Sequence, residues 1–380
     1  MMKKFMALCL LFYCSLPLIA QDSSRLRISL LTCAPGDELY SIFGHSALRI
    51  TDSNSVTDIV FNYGTFNFDE EDFYIKFMRG KLRYFLSVAD FNEFRFAYMD
   101  DNRSIREQIL NLTAAEKLKI KAALMDNLQE DKKYYLYDFF LDNCTTRLRD
   151  LLIKCKQPAP ILPPVMPIHT SFRNAIHQYL DKGNKPWSKL GIDILLGART
   201  DAVMTTAQQQ FLPDNLMIAI DSCKNVPMVE TTNLYEPGTT HFFKPEWLTP
   251  IRFFSLLLLL FLLLHFPNNK FGKGPAEGFG NFIFFLTGLL GCLLLLMWIG
   301  TDHKMTKENF NLFWAWPTHL IAVFLKRNHP FVRRYFQLHL IFLCITMASW
   351  YFLPQQLNPA LIPFIILLSF ESFYRGFRTK

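Results

Sequence analysis

Leu141-Asp142-Asn143-Cys144-Thr145-Thr146-Arg147-Leu148-Arg149-Asp150-Leu151-Leu152 is the stretch whose reading decides this chain. Asp142 or Asn143 has the short polar side chain that caps a helix start, so a helix is expected through Leu152. Cys144 then falls in the first turn, where the helix dipole and free N–H groups lower a thiol's pKa. The same N–H groups can receive the charge of a tetrahedral intermediate. A cysteine so placed also serves packing, and a nearby base is what separates the two readings.

The base on offer is upstream, in Ser41-Ile42-Phe43-Gly44-His45-Ser46-Ala47-Leu48-Arg49-Ile50. A glycine-bearing turn enters a strand here, which presents the His45 ring at the strand's end. Strands are expected at Leu26 to Thr32, closed by Pro35-Gly36-Asp37, and at Ser46 to Thr51, Thr57 to Tyr63 and Leu82 to Val88. Thr113 with Glu116 three residues on reads as a capping box opening an amphipathic helix to Glu130. Residues 22–156 thus form an α+β head in which a nucleophile on a helix start faces a strand-borne histidine, the geometry of thiol acyl transfer.

Outward from the head, Pro158, Pro160, Pro163, Pro164 and Pro167 stop the preceding helix. Residues 157–249 read as this linker plus a helical accessory region, with 168–235 helical and amphipathic. From residue 250 to 380 the charges nearly vanish inside a series of apolar runs. Ile251–Phe266, Phe279–Ile299, Leu312–Leu325, Tyr335–Leu353 and Ala360–Phe370 are five apolar runs of spanning or near-spanning length, read as an all-α bundle of five transmembrane helices. Two are short and need flanking residues, a thinned bilayer or a re-entrant path. With the head outside, Lys270, Lys273, Lys326, Arg327, Arg333, Arg334, Arg375, Arg378 and Lys380 lie inside, against Lys304 and Lys307 outside. That asymmetry fits the positive-inside rule, so the net charge of +7 is topological and does not point to nucleic acid. Residues 1–20, with Lys3 and Lys4 ahead of an apolar stretch ending at Ala20, have the layout of a secretory signal peptide. Cys33, Cys144, Cys155 and Cys223 remain in the exported part. A catalytic thiol must stay unpaired, and Cys33–Cys155 is a pairing the spacing leaves open.

Phe-Gly-His45-Ser-x-Leu-Arg, Asn62-Tyr63-Gly64-Thr65-Phe66 and Asn143-Cys144-Thr-Thr-Arg together resemble the periplasmic domain of bacterial lipoprotein N-acyltransferases of the Lnb type. Thr301-Asp302-His303-Lys304 and Asn309-Phe310-Asn311-Leu312-Phe313-Trp314 extend the resemblance into the membrane part. The order of His before Cys also resembles the permuted papain-like branch that includes lecithin:retinol acyltransferase, in which a third polar residue orients the His. Those relatives use a histidine there, and this chain offers Asn62 instead. The resemblance implies an inner-membrane, multi-pass enzyme with a periplasmic head. Its donor would be a phospholipid or other lipid ester, its acceptor the amine of a lipidated lipoprotein N-terminus, with an acyl-thioester at Cys144 and no cofactor.

Tyr63, Arg147, Asp302, His303 and Asn309 are the further candidates for binding substrate. Arg147 can hold a phosphate or simply pair with Asp142; Asp302, His303 and Asn309 can be interface anchors. Phe73 to Leu86 interleaves Lys76, Arg79, Lys81 and Arg83 with aromatic residues, which suits a membrane surface or an ordinary hairpin. Asp302, His303 and His319 have no recognised metal-ligand spacing, and no metal is expected. The same Cys144 and His45 would also serve a membrane-anchored hydrolase of cell-wall peptide or lipid esters. A scaffold with a structural Cys144 is the non-enzymatic alternative.

Overall fold

A computed structural model describes residues 25–235, 246–265, 273–327 and 329–377. The expected signal peptide, together with Lys270, Arg378 and Lys380, lies outside these residues. The head is a seven-stranded antiparallel sheet of β1 (Leu26–Cys33), β2 (His45–Asp52), β3 (Thr57–Thr65), β4 (Arg83–Asp90), β5 (Ile105–Leu110), β6 (Tyr134–Leu136) and β7 (Val229–Tyr235). Its order is β6-β4-β3-β2-β1-β5-β7. β1 is central and covered on both faces, which is why it reads as an almost unbroken apolar run. Leu26, Ile28 and Leu30 pack under the Ala114–Asn127 and Cys144–Cys155 helices, whereas Leu31 and Cys33 pack with Phe91 and Phe94 of the Phe91–Asp100 helix on the other face.

Four strands stand close to where turn residues and alternation place them; β5, β6 and β7 do not follow from the sequence. β7 corrects the reading of 168–235 as wholly helical. It is a polar edge strand, and a tertiary contact fixes it: Asn233 Nδ2 and Tyr235 Oη both donate to the buried Glu107, each at 2.9 Å. The accessory region also sends Leu216, Ile220, Val226 and Met228 into the head core. Cys33 and Cys155 are both free, so the bridge left open by spacing does not form.

In the carboxy-terminal part, helices run over Pro250–Leu264, Lys273–Ile299, Pro330–Ala348 and Ile362–Phe377. Two stretches, Ala276–Ile299 and Pro359–Phe377, are long and apolar enough to cross a membrane; Pro250–Leu264 is apolar but shorter. The run Leu312–Leu325 departs from expectation. It folds as a 3-10 turn at Phe310–Phe313 and a single helical turn at His319–Ala322, on either side of Pro317. Proline lacks the donor that a continuous helix needs at that point.

The head and the bundle meet through the accessory helices Phe172–Lys182 and Pro186–Leu195. Arg173, 0 % exposed, donates to Asp193 Oδ1 at 2.8 Å, Asp201 Oδ1 at 2.9 Å and Thr200 Oγ1 at 2.9 Å. Asp193 also accepts from Asn358 Nδ2 at 2.8 Å, at the outer end of the last helix. Removing one partner of a buried network leaves the other charge uncompensated. Arg173→Ala is therefore expected to destabilise the solubilised protein by about 3–5 kcal/mol, read as a clear fall in melting temperature. An unchanged melting temperature would show that this network does not hold the two parts together.

Candidate active site

The site is assembled from two glycine-dependent strand positions and one helix start. Gly44, at φ +76°, precedes His45 at the opening of β2; a Cβ there would stand 2.6 Å from the Cys33 carbonyl oxygen. No other residue tolerates both the left-handed backbone and that approach. Gly64, at φ +89°, sits where the β3–β4 register slips between Asn62 and Thr65. Its missing Cβ would lie 3.6 Å from Cys144 Cβ, so the irregular strand end passes directly against the thiol-bearing residue.

Cys144 is the first residue of the Cys144–Cys155 helix, and the cap is Asn143. Asn143 Oδ1 accepts from the N–H groups of Thr145 and Thr146, each at 2.9 Å, while its Nδ2 donates to the carbonyls of Phe139 (2.7 Å) and Phe211 (2.9 Å). The alternative cap, Asp142, is used otherwise: it holds Arg147 in a two-point pair at 2.7 and 2.8 Å. Helix packing against β2 and β3 then sets the thiol beside the start of β2.

His45 Nε2 lies 3.2 Å from Asn62 Oδ1. Asn62 Nδ2 donates to the Val60 carbonyl at 3.4 Å, which leaves Oδ1 as the acceptor and puts the proton on Nε2. Nδ1 is then the ring nitrogen available to the thiol. Burial pushes the Cys144 thiol up, but the charge and hydrogen bonding of His45 and the Ser46 N–H outweigh it, and the pKa is lowered from 9.0 to about 7. Burial pushes His45 down, yet the Cys144 charge and hydrogen bonds to Cys144 and Asn62 carry its pKa above 6.5. The two shifts share one cause, each group favouring the charged form of the other. Cys33, buried without such a partner, is pushed up to about 12 by burial, despite a hydrogen bond to Tyr98.

Both groups open into a cavity of about 1010 Å³. Phe43, Phe66, Leu82, Tyr84, Phe94 and Tyr137 give it largely apolar walls, and Asp302 to Thr306, from the carboxy-terminal part, close one side. The volume is at the upper end of the roughly 300–1,000 Å³ typical of organic-ligand sites.

The candidates from the sequence divide accordingly. Cys144, His45, Asn62, Tyr63, Asp302 and His303 all line this cavity. Tyr63 is also a core residue whose hydroxyl accepts from Asn127 Nδ2 at 2.6 Å. Asp302 and His303 are held to the head, Asp302 N–H donating to the Arg79 carbonyl at 3.0 Å and His303 Nε2 lying 3.1 Å from the Phe77 carbonyl. Two candidates, Arg147 and Asn309, do not line this cavity. Arg147 is spent on Asp142 and stacks 3.4 Å over the Tyr135 ring. Asn309, 1 % exposed, donates to the Ile194 carbonyl at 2.7 Å and to the Leu195 carbonyl at 3.1 Å, and it caps the 3-10 turn. His319 is buried in the bundle with Nδ1 2.8 Å from the Tyr335 hydroxyl. Arg49 of the His45 motif points to the opposite face, where Asp58 and Glu107 hold it. Tyr137, whose ring touches the Cβ position of Gly64 at 3.4 Å, is a wall residue that sequence reasoning missed. Only its place among Tyr134, Tyr135 and Tyr137 ahead of the cysteine marks it.

These features define a class: a membrane-associated α/β protein with a buried thiol beside a histidine in a largely apolar cavity. Residues 18–170 match the Lnb N-terminal periplasmic domain, and residues 243–380 match the Lnb transmembrane domain. The two matches cover most of the chain, which belongs to the Lnb family. It is accordingly a membrane protein with a periplasmic head, of a family tied to lipoprotein processing. No curated protein and no solved structure matches the chain.

Alkylation of Cys144 by iodoacetamide, followed peptide by peptide, is expected to fall as pH drops through about 7, where the thiolate is protonated. In His45→Ala the same thiol keeps its burial and loses its cation, so the midpoint is expected to rise above 9.0. A midpoint that His45→Ala leaves in place would disprove the pairing.

Proposed function

We propose that this protein is an inner-membrane thiol acyltransferase that moves a fatty acyl chain from a lipid ester to the amine of a lipoprotein's lipidated N-terminal cysteine. The observation that carries the reading is a thiol lowered to about 7 at the floor of a large apolar cavity. The Cys144 thiolate attacks the ester carbonyl. The resulting oxyanion is met by the Cys144 N–H, which has no acceptor within its own helix, whereas the Thr145 and Thr146 N–H groups are taken by Asn143 Oδ1. As the tetrahedral intermediate collapses, the C–O bond breaks, the His45 imidazolium protonates the leaving alkoxide, and a lyso-lipid departs. The lipoprotein amine then attacks the thioester, His45 takes its proton, and the C–S bond breaks to restore the thiolate.

Asn62 is the positioning residue in this scheme, holding the ring with Nδ1 toward sulfur throughout. The arrangement, with a strand histidine ahead of a helix-borne cysteine, is read as a permuted papain-like head. Donor and acceptor are both bilayer-bound, so a head held at the interface supplies proximity. Apolar walls that exclude water favour aminolysis of the thioester over hydrolysis. Asp302 and His303 are assigned to the acceptor side of the cavity because they come from the membrane part. The charge asymmetry of the loops supports a multi-pass topology with the head outside, in which four helices and the broken 310–325 segment make the passages.

Full-length protein in vesicles with labelled phospholipid and a diacylated lipopeptide is expected to give N-acylated lipopeptide. A hydroxylamine-labile acyl adduct should appear on Cys144 by mass spectrometry and be absent in Cys144→Ala. Asn62→Ala is expected to lower kcat by about tenfold to a hundredfold with little change in KM, less than loss of the base itself. Release of free fatty acid with no acylated lipopeptide would replace the transferase by a hydrolase.

A further inference from the structure

The residues on the rim of the cavity are apolar and open to the outside. Leu39 (50 % exposed), Tyr40 (76 %), Phe77 (53 %) and Leu136 (53 %) both line the cavity and face outward. Beside them the short helix Phe73–Arg79 buries only Phe73 and exposes Tyr74 (78 %), Ile75 (52 %) and Met78 (41 %). A contiguous apolar surface of this kind in water calls for a covering partner.

The structure also fixes where this surface stands. The helix ends at Gly80, at φ +69°, and a Cβ there would be 3.3 Å from the His303 N. The Arg79 carbonyl accepts from Asp302 N–H, and the Phe77 carbonyl lies against the His303 ring. Asp302 follows the end of the apolar stretch Ala276–Ile299 by three residues, a reach of at most about 10 Å. The headgroup layer adds roughly 5–8 Å on each side of the hydrocarbon core. The exposed helix is therefore tethered at the depth of the headgroups. The charges divide along it: Asp69 to Asp72 lead into it, and Arg79 and Lys81 follow at the end nearest Asp302. Lys76 is taken up by Glu70 at 2.8 Å. With four acids against three bases, apolar burial rather than charge attraction drives contact with lipid.

We propose that the Phe73–Arg79 helix and the Leu39–Tyr40 loop are immersed in the outer leaflet of the bilayer and frame a lateral doorway, through which an acyl chain passes from the membrane to Cys144 without crossing water. This rests on the acyl-transfer reading above. It adds that the donor is taken from the bilayer plane rather than from solution.

The test uses full-length protein in phosphatidylethanolamine–phosphatidylglycerol vesicles. Two acyl donors are compared by the adduct formed on Cys144: the vesicle phospholipid and water-soluble p-nitrophenyl butyrate. The double variant Ile75→Asp/Met78→Asp is expected to lose tenfold or more of the rate with phospholipid and to keep the wild-type rate with the soluble ester. Unchanged use of phospholipid would overturn the doorway. A second measurement is independent of activity. With p-benzoylphenylalanine in place of Tyr74, light is expected to give phospholipid adducts. None are expected at Val56, 93 % exposed, in the β2–β3 turn at the other end of the strand from His45. Absence of lipid adducts at position 74 overturns the proposal whatever the variant's rate. Failure of the wild type to form an adduct from either donor would instead sink the acyl-transfer reading, leaving the cross-link to judge the surface alone.

Discussion

The Arg173 guanidinium is the joint on which the arrangement depends. It has no exposed surface, and its donors go to Asp193, Asp201, Thr200 and the carbonyls of Leu196 and Gly197. Asp193 in turn binds His177 at 2.7 Å and reaches Asn358 of the bundle. A buried ion network is weak evidence for net stability, because desolvation offsets much of the attraction. Its geometric consequence is stronger. A fork of fixed donors between two acids permits one placement of the Phe172–Lys182 helix against the 193–201 segment, and Asp193 carries it on to Asn358 of the bundle. Gly197 N–H donates to the Met305 carbonyl at 2.8 Å, which carries that placement to the segment closing the cavity. The cavity is thus a product of docking as much as of the head's own fold.

Within it, burial and pairing pull the thiol in opposite directions. Desolvation is the largest influence on Cys144 and alone would leave an inert thiol, as it does for Cys33 on the adjacent strand. What separates the two cysteines is a histidine whose far nitrogen is occupied by Asn62. An amide at that position orients the ring without adding the negative charge of a carboxylate. The ring's positive charge is then shared with sulfur alone. A site of this kind holds a thiol among largely apolar walls and still lowers its pKa to about 7.

Much of this was legible in the sequence, for local reasons. Asn143 before Cys144, the Thr113–Glu116 box and the Gly44 turn are signals carried by adjacent residues, and the structure places elements where they point. The approach of His45 to Cys144, residues nearly a hundred positions apart, follows because β2 is central and the helix packs on it. β7 was illegible because its pairing depends on Glu107, more than a hundred residues away. For Arg147 and Asn309 the sequence left two readings open for a related reason. A polar side chain near a site looks the same in sequence whether it faces the ligand or, as here, is consumed by Asp142 or by the Ile194 carbonyl.

The irregular 310–325 segment follows the same logic. Non-helical backbone near hydrocarbon persists only where protein satisfies its polar groups. Here the Phe310 N–H donates to Gln355 Oε1 at 2.6 Å, and Asn311 caps Trp314 Nε1 at 3.0 Å. The long helix makes room for it with two glycines: a Cβ at Gly288 would be 2.9 Å from Leu320 N, and one at Gly291 2.3 Å from the Ala315 carbonyl oxygen. Small residues let backbones touch, as they do between helix pairs in bilayers, here between a helix and an irregular stretch of chain. Asn309 and Asn311 hold this segment to the Asp193, Ile194 and Leu195 carbonyls, next to the Gly197–Met305 bond at the cavity wall. The irregularity that defeats a simple count of spans is therefore what ties the membrane part to the cavity.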